Sequence, residues 1–116
     1  RLAWTGPAAD GTTRALFFAS ADGSGLTQLL GSATPVEVAG WSADGTGLYY
    51  SEEPIEPPTD QIYVGASSLY RFDLATSRVD ALVPADPGRI ACIDDLAPDA
   101  KSVVEHCGTV KELILR

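Results

Sequence analysis

Cys92 and Cys107, the neighbouring His106, the acid pair Asp94-Asp95 and the serine of Gly40-Trp41-Ser42-Ala43-Asp44 are the residues whose types and spacing could do chemistry. With Asp99-Ala100 at the centre of a hairpin, Cys92 and Cys107 stand equally far from the turn and face each other. Facing residues of an antiparallel pair have Cα atoms roughly 4.5–5.5 Å apart, within the span of a disulfide. The expectation is a Cys92–Cys107 disulfide, with two buried free thiols or a metal pair as the alternatives. A chain with these two thiols and no other suits an oxidising compartment.

His106 is the single histidine, so a Ser-His-Asp triad lacks a spare base and a three-histidine metal site is excluded by count. Its place on a strand predicts a rim residue. Ser42 nearly completes a Gly-x-Ser-x-Gly nucleophile elbow, but the fifth position is Asp44 and a strand, not a helix, follows. Asp94-Asp95 could exchange protons as paired carboxylates, yet their place at a strand end predicts solvated acids. Asp22-Gly23-Ser24-Gly25 and Asp44-Gly45 have the look of calcium loops, but neither supplies six oxygens at loop spacing, so both read as turns. No catalytic residue, metal or cofactor is expected.

The elements that position these residues are strands; no window holds a 3.6-residue apolar period over three turns. The pattern predicts strands over Leu2–Trp4, Arg14–Ser20, Leu26–Leu30, Val36–Trp41, Leu48–Ser51, Ser68–Leu74, Arg78–Val83, Ile90–Leu96, Ser102–His106 and Glu112–Leu115. Asp44-Gly45 between two apolar runs is a strong hairpin signal, because glycine accepts the positive φ of the turn. The stretch 52–67 interrupts the pattern with prolines and with Glu52, Glu53, Glu56 and Asp60. It reads as a long exposed loop, with Gln61–Val64 as a candidate short strand. Such a loop on one face of the fold is a candidate interaction element for a basic partner.

Sixteen acids against eight bases give a net charge of -8. That balance disfavours phosphate backbones and anionic lipid, so no nucleic-acid partner is expected. No run approaches the roughly 18 apolar residues of a membrane span. The 45% apolar and 21% charged content is that of a globular chain. The opening Arg1-Leu2-Ala3-Trp4 looks like mid-strand, suggesting a piece of something longer or a matured product.

Internal similarity organises the whole. Trp41-Ser42-Ala43-Asp44-Gly45 returns as Leu96-Ala97-Pro98-Asp99-Ala100, and Ala15–Leu30 lies over Ser68–Val83 without a gap. Glu112–Leu115 repeats the opening of the latter unit. Labelling the strands of a unit A to D, the chain reads B-C-D over 1–34, A-B-C-D over 35–84 and A-B-C over 85–116. Four-stranded antiparallel repeats of this length are the signature of β-propeller blades. The fold expected is all-β, with about two and a half blades of a larger ring.

These residues resemble the WD40-like (PD40) repeats of TolB-type propellers. Trp41–Gly45 and Leu96–Ala100 are similar to the family's Trp-Ser-Pro-Asp-Gly motif, and Leu69–Leu74 to its Leu-Tyr-x-x-Asp-Leu strand. The first copy departs from the motif at Ala43, and the second lacks Trp and Gly. The resemblance implies structural roles for Trp41, Ser42, Asp44, Gly45, Leu96, Pro98 and Asp99, with Trp41 wedged between blades. It implies a non-catalytic protein-binding or scaffolding module outside the cytoplasm, periplasmic, secreted or on the cell surface. Alternatives are the propeller of a larger serine peptidase or hydrolase, gating its active site, and a carbohydrate- or small-ligand-binding propeller. The expected partner is another protein or the remaining blades of the same ring.

Overall fold

A computed structural model describes residues 1–11, 13–32, 36–52, 68–84, 93–97, 99, 101–106 and 113–115. The chain is all-β, and the described residues contain no helix. Three antiparallel sheets follow one another along the sequence. The first holds β1 (Leu2–Pro7), β2 (Arg14–Ala19) and β3 (Thr27–Ser32) in that order. The second is a four-stranded meander of β4 (Val36–Trp41), β5 (Gly47–Glu52), β6 (Ser68–Asp73) and β7 (Val79–Val83). The third holds β8 (Ile93–Leu96), β9 (Val103–His106) and β10 (Leu113–Leu115). This succession of three, four and three antiparallel strands is compatible with partial blades of a β-propeller.

The repeat extends to individual pairings. Leu16 faces Leu30, Phe17 faces Gln28 and Phe18 faces Thr27 in the first sheet. At the matching positions of the second, Leu69 faces Val83, Tyr70 faces Ala81 and Arg71 faces Asp80. Each pair of strands carries a bulge at the same step, with Leu29 and Leu82 as the extra residues. Strands β4 and β8 share a second bulge, after Val38 and after Ile93. A bulge adds one residue to one strand and increases its local twist. Cross-strand aromatic pairs recur too: Trp4 stacks on Phe17 with centroids 5.7 Å apart, and Tyr50 on Tyr70 at 5.3 Å.

Residues on a strand alternate between faces, and the second sheet uses both. Leu48, Tyr50 and Phe72 join Val36 and, from the first sheet, Leu16 in one buried cluster. Tyr49 and Leu69 form another on the opposite face, against Val83 and Leu96. Leu16, Val36, Leu48 and Leu69 have no exposed surface. Burying an aliphatic side chain of that size contributes roughly 1.5–3 kcal/mol, so these seams hold one sheet to the next. Trp41 lies in the first seam, edge-on to Phe18 with centroids 6.0 Å apart. Leu96, its counterpart in the repeat, packs in the second.

Several strand ends shift from their expected positions, as in β3 at Thr27–Ser32 and β5 at Gly47–Glu52, and two expectations change further. β1 runs on to Pro7, beyond the expected Trp4, because all six residues of β2 find partners on it. The symmetry argument for the cysteines holds at Leu96 opposite Val103 and Asp95 opposite Val104. It then lapses, since the bulge sets Ile93 opposite Glu105, one residue out of symmetry. Cys92 and Cys107 themselves lie outside the described residues, as do Pro98, Glu53, Glu56, Asp60 and the Gln61–Val64 segment.

Candidate functional site

The β4–β5 and β6–β7 turns lie side by side on one rim of the second sheet, and each is organised by a carboxylate. In the first, Asp44 Oδ1 accepts from Ser42 Oγ at 2.6 Å, Thr46 N at 3.0 Å and Thr46 Oγ1 at 2.8 Å. Ser42 Oγ accepts in turn from Gly47 N at 2.8 Å. These donors favour the ionised form: the Ser42 hydroxyl first, then the Thr46 amide and hydroxyl, hold the Asp44 carboxyl down at about 2. Gly45 takes φ 71° here, the left-handed geometry that the sequence assigns to glycine. The third sheet repeats the arrangement where it is described: Lys101 N donates to Asp99 Oδ1 at 3.0 Å and Ala97 N to Ser102 O at 2.9 Å.

Asp73 governs the second turn. Its Oδ1 accepts from Ala75 N at 3.1 Å, Thr76 N at 2.9 Å and Thr76 Oγ1 at 2.9 Å. Its pKa also falls to about 2, through the Thr76 amide, the Thr76 hydroxyl and then Arg71. Arg71 joins the two turns, donating to Asp73 Oδ2 at 3.2 Å and to Thr46 Oγ1 at 2.9 Å. The Leu74 amide adds a bond to Thr46 O at 3.0 Å. The guanidinium lies so close over Gly47 that a Cβ there would stand 2.6 Å from Arg71 Cζ. From the first sheet, Arg1 Nη1 reaches Gly45 O at 2.7 Å, with its guanidinium 6.0 Å from the Phe18 ring centre.

Beside this rim, between the first and second sheets, opens a cleft of about 430 Å³. Phe18, Leu29, Phe72 and Leu74 supply apolar walls, and Arg1 and Ser77 a polar lip. That volume lies in the range of sites for small ligands or single side chains, which combine apolar walls with a few polar groups. Ser77, at φ 60°, is the non-glycine residue with positive φ among those described.

Ser42, Asp44, Gly45, Asp99 and Leu96 therefore stand at two successive hairpins. The Ser42 hydroxyl bridges its own turn, donating to Asp44 Oδ1 and accepting from the Gly47 amide. Glu52, at the far end of β5, lies on the opposite rim from the two turns, opposite Ser68. Burial pushes its pKa up, against a hydrogen bond from Ser32 of the first sheet that lowers it. Among the described residues no group of three or more His, Cys, Asp or Glu could hold a metal ion. No described helix is long and apolar enough to cross a membrane. Sequence reasoning missed Arg71, Gly47 and the cleft. The nearest available signal was Asp73 just ahead of Ala75-Thr76, the pattern of an Asx turn.

No family model and no curated protein sequence matches the chain.

Proposed function

We propose that this chain is a segment of a TolB-like, WD40-like (PD40) propeller that works outside the cytoplasm as a non-catalytic protein-binding module. The observation that carries this reading is the tied rim beside the cleft. Two hairpin turns are joined through Arg71 and Thr46, next to a cleft between successive sheets whose lining mixes apolar side chains with Arg1, Thr27, Gln28 and Ser77. A rigid rim with an adjacent cleft suits recognition, since little order must be gained on binding. The motif residues Trp41, Ser42, Asp44, Gly45, Leu96 and Asp99 serve the scaffold. The acidic loop with Glu52, Glu53, Glu56 and Asp60 adds a second, charge-based contact for a basic partner.

The test is site-specific photo-crosslinking in an extracytoplasmic extract. A crosslinker at Thr27 or Ser77, on the cleft, is expected to capture one discrete protein. The same group at Asp80, on the outer strand β7, captures none. Equal capture from all three positions, or none from any, overturns the reading. Turnover of ester or peptide substrates by the purified chain, lost on Ser42→Ala, would overturn its non-catalytic part.

A further inference from the structure

We infer that the cleft between the first two sheets receives the C-terminal residue of a partner polypeptide, its apolar side chain against Phe18 and Phe72 and its free carboxylate on Arg1. The inference rests on the protein-binding reading of this cleft and names the chemistry of the group it takes. Apart from Arg1, the lining comes from β2, β3 and β6 with the turn that follows, in two neighbouring sheets.

The charge is the first observation. The chain carries sixteen acids against eight bases, yet no residue lining the cleft is acidic and one, Arg1, is a cation. Arg71 and Arg78 are paired with Asp73 and Asp80, whereas Arg1 forms no ion pair with a described residue. It is nonetheless held in place. Nη1 donates to Gly45 O at 2.7 Å, and the guanidinium lies 6.0 Å from the Phe18 ring centre. That leaves Nε and Nη2, two donors that a carboxylate takes side by side.

Ser77 supplies a second, independent observation. The positive-φ positions of the β1–β2, β2–β3 and β4–β5 turns are all glycine, at Gly11, Gly23, Gly25 and Gly45; in the β6–β7 turn the position is Ser77, at φ 60°. A side chain kept in that conformation strains the backbone, and such strain gathers where the side chain has a use. Ser77 lines the cleft, and its hydroxyl makes no hydrogen bond to a described residue, which leaves it a donor for a bound anion.

A C-terminal residue suits these groups better than an internal acid. It sets an apolar side chain and a carboxylate on one Cα and leads a single arm of chain back to solvent. An internal Asp or Glu brings the carboxylate without the apolar group and needs two arms. The cleft's 430 Å³ lies near the small end of the roughly 300–1,000 Å³ of ligand sites, which favours an end over a chain passing through.

Peptide binding tests this, read by fluorescence anisotropy of a labelled hexapeptide ending in -Ala-Leu-Phe. The chain carries a Gly-Ser leader, so that no α-amine adds charge beside the cleft. The free-acid peptide is expected to bind about tenfold more tightly than its C-terminal amide, an advantage that shrinks as salt is raised. Gln28→Glu, at an exposed position of the lining, should abolish that advantage while the melting temperature holds. Arg1→Gln should abolish it too, and Arg1→Lys should keep part of it. Ser77→Gly should weaken the acid peptide without lowering the melting temperature. Equal affinity for acid and amide, or an advantage that survives both Gln28→Glu and Arg1→Gln, overturns the inference. So does equal binding of a peptide carrying Leu-Phe-Glu in its middle, or full competition by N-acetylphenylalanine at the peptide's own concentration, which makes the site one for small acids. Capture of a protein from Thr27 or Ser77 that persists undiminished in Gln28→Glu removes this inference and leaves the protein-binding reading standing; tight binding of the acid peptide with no protein captured does the reverse.

Discussion

Truncating Leu48 to alanine tests whether the first two sheets share one interior. Leu48 has no exposed surface and touches a cluster drawn from both sheets. Losing its three outer carbons removes about 2 kcal/mol of transfer free energy at roughly 0.8 kcal/mol per methylene. The cavity left behind brings the expected cost to about 3 kcal/mol, within the usual range for buried leucine. A domain of this length has a total stability of roughly 6–15 kcal/mol, so the melting temperature should fall by about 10 °C. Leu16→Ala removes the facing side chain from the other sheet and should cost a similar amount. Urea unfolding of the two single variants and the double variant gives their coupling, expected near 1 kcal/mol because the second truncation enlarges a cavity already present. Leu82→Ala, at a half-exposed bulge position, should stay within about 0.5 kcal/mol. A cost below about 1 kcal/mol for Leu48→Ala, or strict additivity with Leu16→Ala, would refute a shared seam.

Asp44 and Asp73 bear on acid stability. Their folded pKa values of about 2 lie below the ordinary 3.8, so the stability they contribute is full above about pH 4 and is lost as pH falls through about 2. Asp44→Asn with Asp73→Asn should flatten that acid limb in a pH series of melts; an unchanged limb excludes both carboxylates. Tyr50 sets the alkaline side: burial, then Glu52 and Tyr70, raise its pKa to about 12. Its contribution is full below about pH 10 and lost as pH rises through about 12, so Tyr50→Phe should remove that limb, and its persistence would exclude Tyr50 as the cause. Gly47→Ala should cost about 1 kcal/mol by displacing Arg71 and much less in an Arg71→Ala background; equal costs would show that the guanidinium is not the obstacle. Non-reducing mass spectrometry should find Cys92 and Cys107 bonded, whereas two thiols alkylated without reductant would refute the pair.

The sheet order was legible because the repeated turns and aromatic pairs mark equivalent strands, as with Phe17 and Tyr70. The bulges were not. Leu29-Leu30 and Leu82-Val83 read as adjacent aliphatics ending a strand, and nothing in a pair of aliphatics says that one is surplus to the ladder. The symmetry assumed around Asp99-Ala100 failed at Ile93 for the same reason. At the rim, Asp44 was legible since an Asx turn forms within a few residues. Arg71 was not, because its partners Thr46 and Gly47 come from a distant turn that only the folded sheet brings near. The cleft belongs with Arg71 in this respect, its walls coming from β2, β3 and β6.

Each extra residue of the ladders sits in a flanking strand, β3 or β7 on one side and β4 or β8 on the other, while β5 and β6 pair without interruption. Single-codon insertions and deletions should therefore be tolerated unevenly. In a flanking strand such a lesion can be absorbed by creating or erasing a bulge. In β5 or β6 it would exchange the two surfaces of the strand, sending Leu48 and Tyr50 to the place of Tyr49. Length variation among descendants of this chain should collect in the outer strands and in the stretch between β5 and β6.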